Sequence, residues 1–212
     1  VRISIYNHKG GVGKTILTSN IASAIAQHGY KVLLVDTDPQ SNITCYFFVE
    51  SYVDDLLDNS DKNSGKTIWS VVNRLIEGGG DYKYIRPHDT NVENVLLVPG
   101  DIRLSEFEVE LNDYWTQCWK RRPLGYKGMT AISRYVNEVC EKLDIDFVFF
   151  DAGPNIGALN RSLLLDCDYF IIPAASDLFS RRALKTLGYT LFNWISEWHA
   201  IQSIAPRNTL LL

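Results

Sequence analysis

The sequence predicts an α/β fold, a mostly parallel sheet covered by helices on both faces, and three observations carry that expectation. Short runs rich in Val, Ile, Leu and Phe alternate with segments of helical periodicity, the order from which parallel sheets are built. The glycine-rich run Lys9-Gly10-Gly11-Val12-Gly13-Lys14-Thr15 joins the first strand to the first helix. Aspartates close two further strands, at the carboxyl edge where open α/β sheets hold their ligands.

Taken in order, Val1, Ile3 and Ile5 alternate with Arg2, Ser4 and Tyr6 as in a strand, and Leu17, Ile21, Ala24 and Ile25 then recur at helical spacing until Gly29. The second strand, Lys31 to Val35, runs into Asp36-Thr37-Asp38-Pro39-Gln40. Residues 41 to 93 are less regular, with a polar stretch Asp54 to Lys66, a short helix Ile68 to Glu77 and a break at Gly78-Gly79-Gly80. They read as an elaboration of the domain, not a linker. Val95 to Val98 is a short buried strand, followed by an acidic helix around Ile102 to Leu111; Tyr114 to Trp119 then runs into a turn or helix end at Lys120-Arg121-Arg122-Pro123. From Met129, the face Ile132, Val136, Val139 and Leu143 marks a helix feeding the strand Phe147 to Phe150, which Asp151 terminates. A helix over Gly157 to Leu165, a fifth strand Tyr169 to Ile172 and a long helix Phe179 to His199, with Leu184, Leu187, Leu191, Trp194 and Trp198 on one side, complete the series.

At 212 residues, 46% hydrophobic and 22% charged, the chain is expected to form one domain over 1–212 with a full core. Its net charge of −4 gives no molecule-wide attraction to nucleic acid or anionic membrane, so any such contact rests on local patches. Cys45, Cys118, Cys140 and Cys167 form no C-x-x-C pair, which argues against a zinc site, an iron–sulfur ligand set or a disulfide framework and fits buried thiols in reduced cytosol. No run of 18 apolar residues and no signal-peptide arrangement appears, so a soluble, cytoplasmic protein without a membrane partner is expected. Val1 already lies in a strand and Leu210-Leu211-Leu212 makes a poor natural terminus, so truncation at the C-terminal end is expected.

The glycine run carries the chemistry. Three glycines let successive main-chain N–H groups and the positive end of the following helix approach phosphate oxygens without an intervening Cβ. Lys14 would reach the β- and γ-phosphates and the Thr15 hydroxyl would ligate Mg²⁺. Lys9 through Thr15, with Ile16 after them, form the expected nucleotide-binding set. A glycine turn that merely ends a strand is the bland alternative, but K-G-G-x-G-K-[ST] arises by chance in a chain this long with a probability on the order of 10⁻⁵. Strict G-x-x-x-x-G-K-[ST] spacing would need a glycine where His8 stands, so the loop is deviant and Lys9 is a second lysine within it.

Thr15, Asp38 and Asp151 are expected to share one magnesium ion, Asp151 holding a water of its shell as the acidic partner of a phosphate loop does. If Thr15 and Asp151 serve the same ion, their strands must be close neighbours. Gly153 and Pro154 follow, and the glycine N–H is placed to sense a γ-phosphate as a switch. Asp38 is chosen to polarise the attacking water, against a capping role before Pro39; Asp36 holds either the loop or the ion's water shell.

These motifs, with Val35 to Asn42 and Phe149 to Asn155, resemble the ParA/MinD family of deviant Walker A P-loop ATPases, ParA branch. Val98-Pro99-Gly100-Asp101, Ile171-Ile172-Pro173 and Asp177-Leu178-Phe179-Ser180 look like that branch too, so the likeness covers most of residues 1–200, whereas 45–93 matches poorly and reads as a family-variable insertion. The resemblance implies an ATP- and Mg²⁺-dependent sandwich homodimer, in which Lys9, Lys14 and Asp38 are catalytic and Lys9 reaches the phosphates bound by the partner. It further implies slow hydrolysis stimulated by a partner protein, non-specific DNA binding and a role in partition of DNA or another large cargo. The base-recognition strand and basic carboxyl-terminal surface of the family would lie beyond Leu212. Arg181, Arg182 and Lys185, with Lys120, Arg121, Arg122 and Lys127, are either phosphate contacts or solvated faces; Trp115 and Trp119 read as packing or interface residues before a base-stacking platform. A regulatory or defence-associated ATPase that controls an effector is the alternative. A MinD-like membrane-cycling ATPase would need an amphipathic tail that this segment lacks.

Overall fold

The strand that delivers the glycine loop and the strand that ends in Asp151 are hydrogen-bonded neighbours in the computed structural model. β1 (Arg2–Ile5) pairs in parallel with β5 (Phe147–Asp151), bringing Ile5 opposite Asp151. β5 pairs on its other side with β2 (Val32–Asp36), where Asp36 stands opposite Asp151. The expected proximity of Thr15 and Asp151 follows from this register. Residues 1–7, 9–78, 80–174, 178–207 and 209 are described. His8, Gly79, Asp177 and Leu210-Leu211-Leu212 lie outside the described residues, as do the side chains of Leu178, Phe179 and Ser180.

The sheet continues through β4 (Val95–Val98), beside β2, and β6 (Tyr169–Ile171), beside β1, to give the order β3-β4-β2-β5-β1-β6. Five strands run parallel; the two-residue β3 (His88–Asp89) is antiparallel to β4 and had no signature in the sequence. Successive residues of a strand face opposite sides, so Leu33, Val35, Val98, Val148 and Phe150 enter one core cluster while Val32, Leu34, Val95, Leu97 and Phe149 enter another. Both faces of the central strands are buried, as their unbroken apolar runs predict.

The larger core layer is built by α4 (Ile68–Ile76), α5 (Leu104–Trp119), α6 (Pro123–Met129), α7 (Ala131–Leu143) and α8 (Ala158–Asp166). The opposite layer contains α1 (Lys14–Gln27) and α2 (Asn42–Phe47), followed by α3 (Glu50–Asp58). α9 (Leu178–Ile204) packs Leu187 and Leu191 beside Tyr6, and stacks Trp198 on Trp115 at 5.6 Å. Trp115 is thus a packing residue, whereas Trp119 is exposed.

One expectation is refined and one corrected. The helical spacing of Leu17, Ile21, Ala24 and Ile25 does mark α1, but its fully buried residues are Lys14, Thr18, Ser19, Ala22 and Ala26. Small side chains let the helix approach β5 closely, while Ile21 and Ile25 pack half-buried against the same core cluster and Leu17 is exposed. Among the thiols, Cys118 is buried but Cys45 is exposed; all four cysteines are free. No helix among the described residues is long and apolar enough to cross a membrane.

Candidate functional site

Gly13 caps the start of α1 with φ +81°, and Gly11 holds φ +71°, both in the left-handed region that favours glycine. A Cβ at Gly10, Gly11 or Gly13 would meet no protein atom within 4 Å, so the loop borders open space. That space is a cleft of about 480 Å³ lined by Gly10, Gly11, Gly13 to Ile16, Asp38 and Pro154, with Gln40, Asn42 and Tyr46 on the far wall. Gln40, Asn42 and Tyr46 line the cleft without having been assigned to the site from the sequence; Gln40 and Asn42 belong to the second motif, whereas Tyr46, near the end of a six-residue helix, carries no local signature.

Lys14 is 8% exposed, and burial lowers the pKa of its ammonium while Asp151 and Asp38 oppose that shift. The Thr15 hydroxyl donates to Asp151 Oδ2 at 2.8 Å. Burial pushes the Asp151 carboxyl up to about 6, with the Thr15 hydrogen bond opposing, Asp38 adding to the rise and Lys14 opposing. Its other oxygen, Oδ1, is buried with no hydrogen-bond partner among the described residues. A buried carboxylate oxygen without a donor is costly unless a cation or water serves it. Beside a phosphate cradle and a threonine hydroxyl, this donor set fits a hard divalent ion completed by phosphate and water oxygens. Of the residues expected to hold magnesium, Thr15 and Asp38 line the cleft, and Asp151 is buried behind it, bonded to Thr15.

Asp38 is 6% exposed; its Oδ1 accepts the Gln40 N–H at 3.0 Å, and a Cβ on Gly153 would lie 3.4 Å from the same oxygen. Asp38 therefore faces the Gly153-Pro154 segment across van der Waals contact. That segment is held from behind by Asn160, whose amide donates to Gly153 O at 2.8 Å and Asn155 O at 2.7 Å, and by the Tyr6 hydroxyl, which donates to Asn155 O at 2.6 Å. Neither Asn160 nor Tyr6 was flagged from the sequence, because their partners are set by tertiary packing.

Asp36, left open between two roles, holds the loop. It is fully buried, its Oδ2 accepts the Thr44 N–H at 3.0 Å and hydroxyl at 2.5 Å, and its Oδ1 accepts the Asp38 N–H at 3.2 Å. Burial pushes its carboxyl up to about 8, against the Thr44 hydrogen bonds, while Asp151 adds to the rise. The Gly100 N–H donates to Thr44 Oγ1 at 2.7 Å, and a Cβ on Gly100 would come within 2.7 Å of Asp36. This is why glycine stands after Val98-Pro99.

Lys9 is exposed, with its own N–H bonded to Asn7 Oδ1 at 2.9 Å, and it does not line the cleft of its own chain. Arg181, Arg182 and Lys185 are exposed on α9, as are Lys120, Arg121 and Arg122; Lys127 is paired with Asp81 at 3.5 Å.

Comparison with known proteins decides the family. The family model described as "AAA domain" matches residues 1–200. The chain belongs to the ParA/MinD family of P-loop ATPases. It is 32% identical over 189 residues to "Uncharacterized protein Rv1708" of Mycobacterium tuberculosis, covering 89% of this chain and 51% of that protein. It is 30% identical over 183 residues to "Probable plasmid-partitioning protein ParA" of Thermus thermophilus, covering 85% of this chain and 47% of that protein. The chain thus spans about half the length of these relatives. The crystal structure of protein DIP2308 from Corynebacterium diphtheriae superposes with a TM-score of 0.84 at 32% identity, covering 95% of this chain and 69% of that one.

Proposed function

We propose that this protein is a Mg²⁺-dependent ATP-binding and hydrolysing switch of the ParA type, which pairs with a second copy when ATP is bound and serves partition of DNA or another large cargo. The observation that carries the reading is the convergence of Lys14, Thr15, Asp38 and Asp151 on a glycine cradle, with Asp151 Oδ1 left without a donor. A magnesium ion bound here would supply positive charge to offset that of the transferring phosphoryl group. Thr15 and Asp151 would hold it with its water shell. Lys14 and the N–H groups of the loop bind the phosphates, and Asp38 polarises the attacking water from beside Gly153. Gly153 and Pro154, tied to Asn160 through the adjoining backbone, form the segment that registers the γ-phosphate.

Lys9 acts in trans. Its exposure outside its own cleft supports that role, and so do the exposed apolar residues Ile16, Leu17 and Tyr46 in and beside the cleft, which pairing would cover. A cation delivered across an interface can be worth 10³ to 10⁵ in rate, roughly 4 to 7 kcal/mol, and a lysine, lacking a guanidinium fork, belongs at the low end. The likeness to the Thermus thermophilus partition protein supports the DNA-related branch, with Arg181, Arg182 and Lys185 as phosphate contacts and a partner protein as the stimulator.

ATP turnover and sedimentation of wild type, Lys14→Ala and Lys9→Ala, with and without duplex DNA at two salt concentrations, test the reading. Lys14→Ala should lose nucleotide binding. Lys9→Ala should keep it while losing ATP-dependent pairing and most turnover. A Lys9→Ala protein that pairs and hydrolyses normally overturns the trans role. Salt-sensitive DNA binding seen only with ATP supports partition, and its absence favours a regulatory ATPase acting on another effector.

A further inference from the structure

A cleft of about 580 Å³ stands apart from the phosphate-loop cleft and shares none of its lining residues. It lies at the β3 edge of the sheet, between α3 and the segment from Lys83 to Asp89. One wall is aromatic: Phe48, Tyr52 and His88 form an edge-to-face cluster with ring centroids 5.3, 5.8 and 5.9 Å apart. His88 is fixed by two hydrogen bonds, Tyr52 Oη to Nδ1 at 2.8 Å and Nε2 to Lys66 O at 3.3 Å. A carbonyl only accepts, so Nε2 carries the proton and Nδ1 accepts from the tyrosine. Burial lowers the pKa of this imidazole, which keeps it a neutral, flat surface.

The remaining wall is cationic. Lys83 donates to Asn63 O at 2.6 Å and Gly65 O at 3.2 Å, anchored in the wall. Lys66 and Arg86 are exposed and make no side-chain hydrogen bond or ion pair among the described residues. Lys66, Lys83 and Arg86 against Asp89 give 3 − 1 = +2 in this lining, within a chain whose net charge is −4. Two uncommitted cations beside an edge-to-face cluster of rings, in a cleft of small-ligand size, match an anion that carries a flat ring.

We infer that this cleft is a second ligand site, for a mononucleotide: phosphate on Lys66 and Arg86, base against the Phe48, Tyr52 and His88 wall. It does not use the phosphate loop. The two clefts are nonetheless joined by one short segment, since Tyr46 lines the first and Phe48 the second, and Thr44 between Asp36 and Gly100 pins that segment to the sheet.

Titration calorimetry with AMP, GMP, CMP, UMP and inorganic phosphate, on wild type, Lys14→Ala and the double variant Lys66→Ala/Arg86→Ala, tests the inference. At least one mononucleotide should bind the Lys14→Ala protein as it binds wild type, and should bind the double variant at least tenfold more weakly. Inorganic phosphate should bind more weakly than that nucleotide. Both substituted side chains are exposed, so an unchanged circular dichroism spectrum is expected to accompany the loss. No mononucleotide binding to wild type, binding abolished by Lys14→Ala, binding unaltered in the double variant, or phosphate binding as tight as the nucleotide would each overturn it. Loss of ATP turnover in Lys14→Ala reads the phosphate loop separately.

Discussion

Aspartates at the carboxyl edge of this sheet do different work although their local sequences look alike. Asp36 and Asp38 are two residues apart, yet Asp36 is sealed against Thr44 and Asp38 borders the cleft. The sequence could offer only a choice of roles, because Thr44 reaches Asp36 through a tertiary bond eight residues on. Asp101 shows the cost of such burial most plainly. It is 1% exposed, its carboxylate accepts the Thr67 hydroxyl at 2.8 Å and the Arg103 N–H at 3.0 Å, and burial raises its pKa against those bonds. The folded state therefore keeps this proton at pH values where the unfolded chain has released it. Stability from the group is fully present below the unfolded value of about 4 and declines as pH rises through the folded one. Asp101→Asn removes the titration while nearly preserving shape. In urea denaturation from pH 4 to pH 7, wild type should lose stability relative to Asp101→Asn as pH rises; Asp36 and Asp151 titrate in both proteins and cancel from the difference. A constant or opposite difference would show that burial does not govern this carboxyl.

At the scale of elements, glycines in two helices make opposite predictions. α6 carries Gly125 and Gly128 against α5, where a Cβ at Gly125 would stand 2.6 Å from Cys118 N and Tyr114 O. Those are backbone atoms that cannot swing aside, so Gly125→Ala should destabilise by roughly 1 to 3 kcal/mol. Gly188 on α9 has nothing within 4 Å of a Cβ, so Gly188→Ala should stabilise by roughly 0.5 to 1 kcal/mol through helix propensity. Urea midpoints of the two variants check both signs. The same contrast explains what was legible in advance. The apolar strands, α4, α7, α8 and α9, together with the glycine loop and Asp151, carry short-range patterns, and their order alone gave the layered sheet. α6, with two glycines in seven residues, exists because close approach to α5 compensates poor propensity. α2, α3 and β3 likewise take their form from tertiary contacts, and α1 sets small residues in its fully buried positions, with Ile21 and Ile25 half-buried beside them. In the site, the phosphate loop could be read from spacing, whereas Tyr46, Asn160 and Tyr6 could not.

Across the described residues the two edges of the sheet are unequal. β3 ends one side with two residues antiparallel to β4, a short edge that offers little template for pairing. β6 ends the other with Tyr169, Phe170 and Ile171 exposed by 65, 41 and 41%, and exposed Tyr189, Phe192 and Ile195 extend the apolar surface along α9. An apolar strand edge of this kind pairs with other chains unless a charge interrupts it. A polypeptide of these 212 residues, expressed by itself, should therefore self-associate with rising concentration whether or not nucleotide is present. Phe170→Lys places a charge on that strand while keeping its main-chain pairing with β1. Phe170→Lys should reduce this association in sedimentation and light scattering, and Lys9→Ala should leave it unchanged. The proposed ATP-dependent pairing should show the reverse dependence, lost with Lys9→Ala and kept with Phe170→Lys, so that two surfaces on opposite sides of one mechanism separate by experiment. Association that disappears with Lys9→Ala and persists with Phe170→Lys in the absence of nucleotide would mean that the open edge is not what drives it.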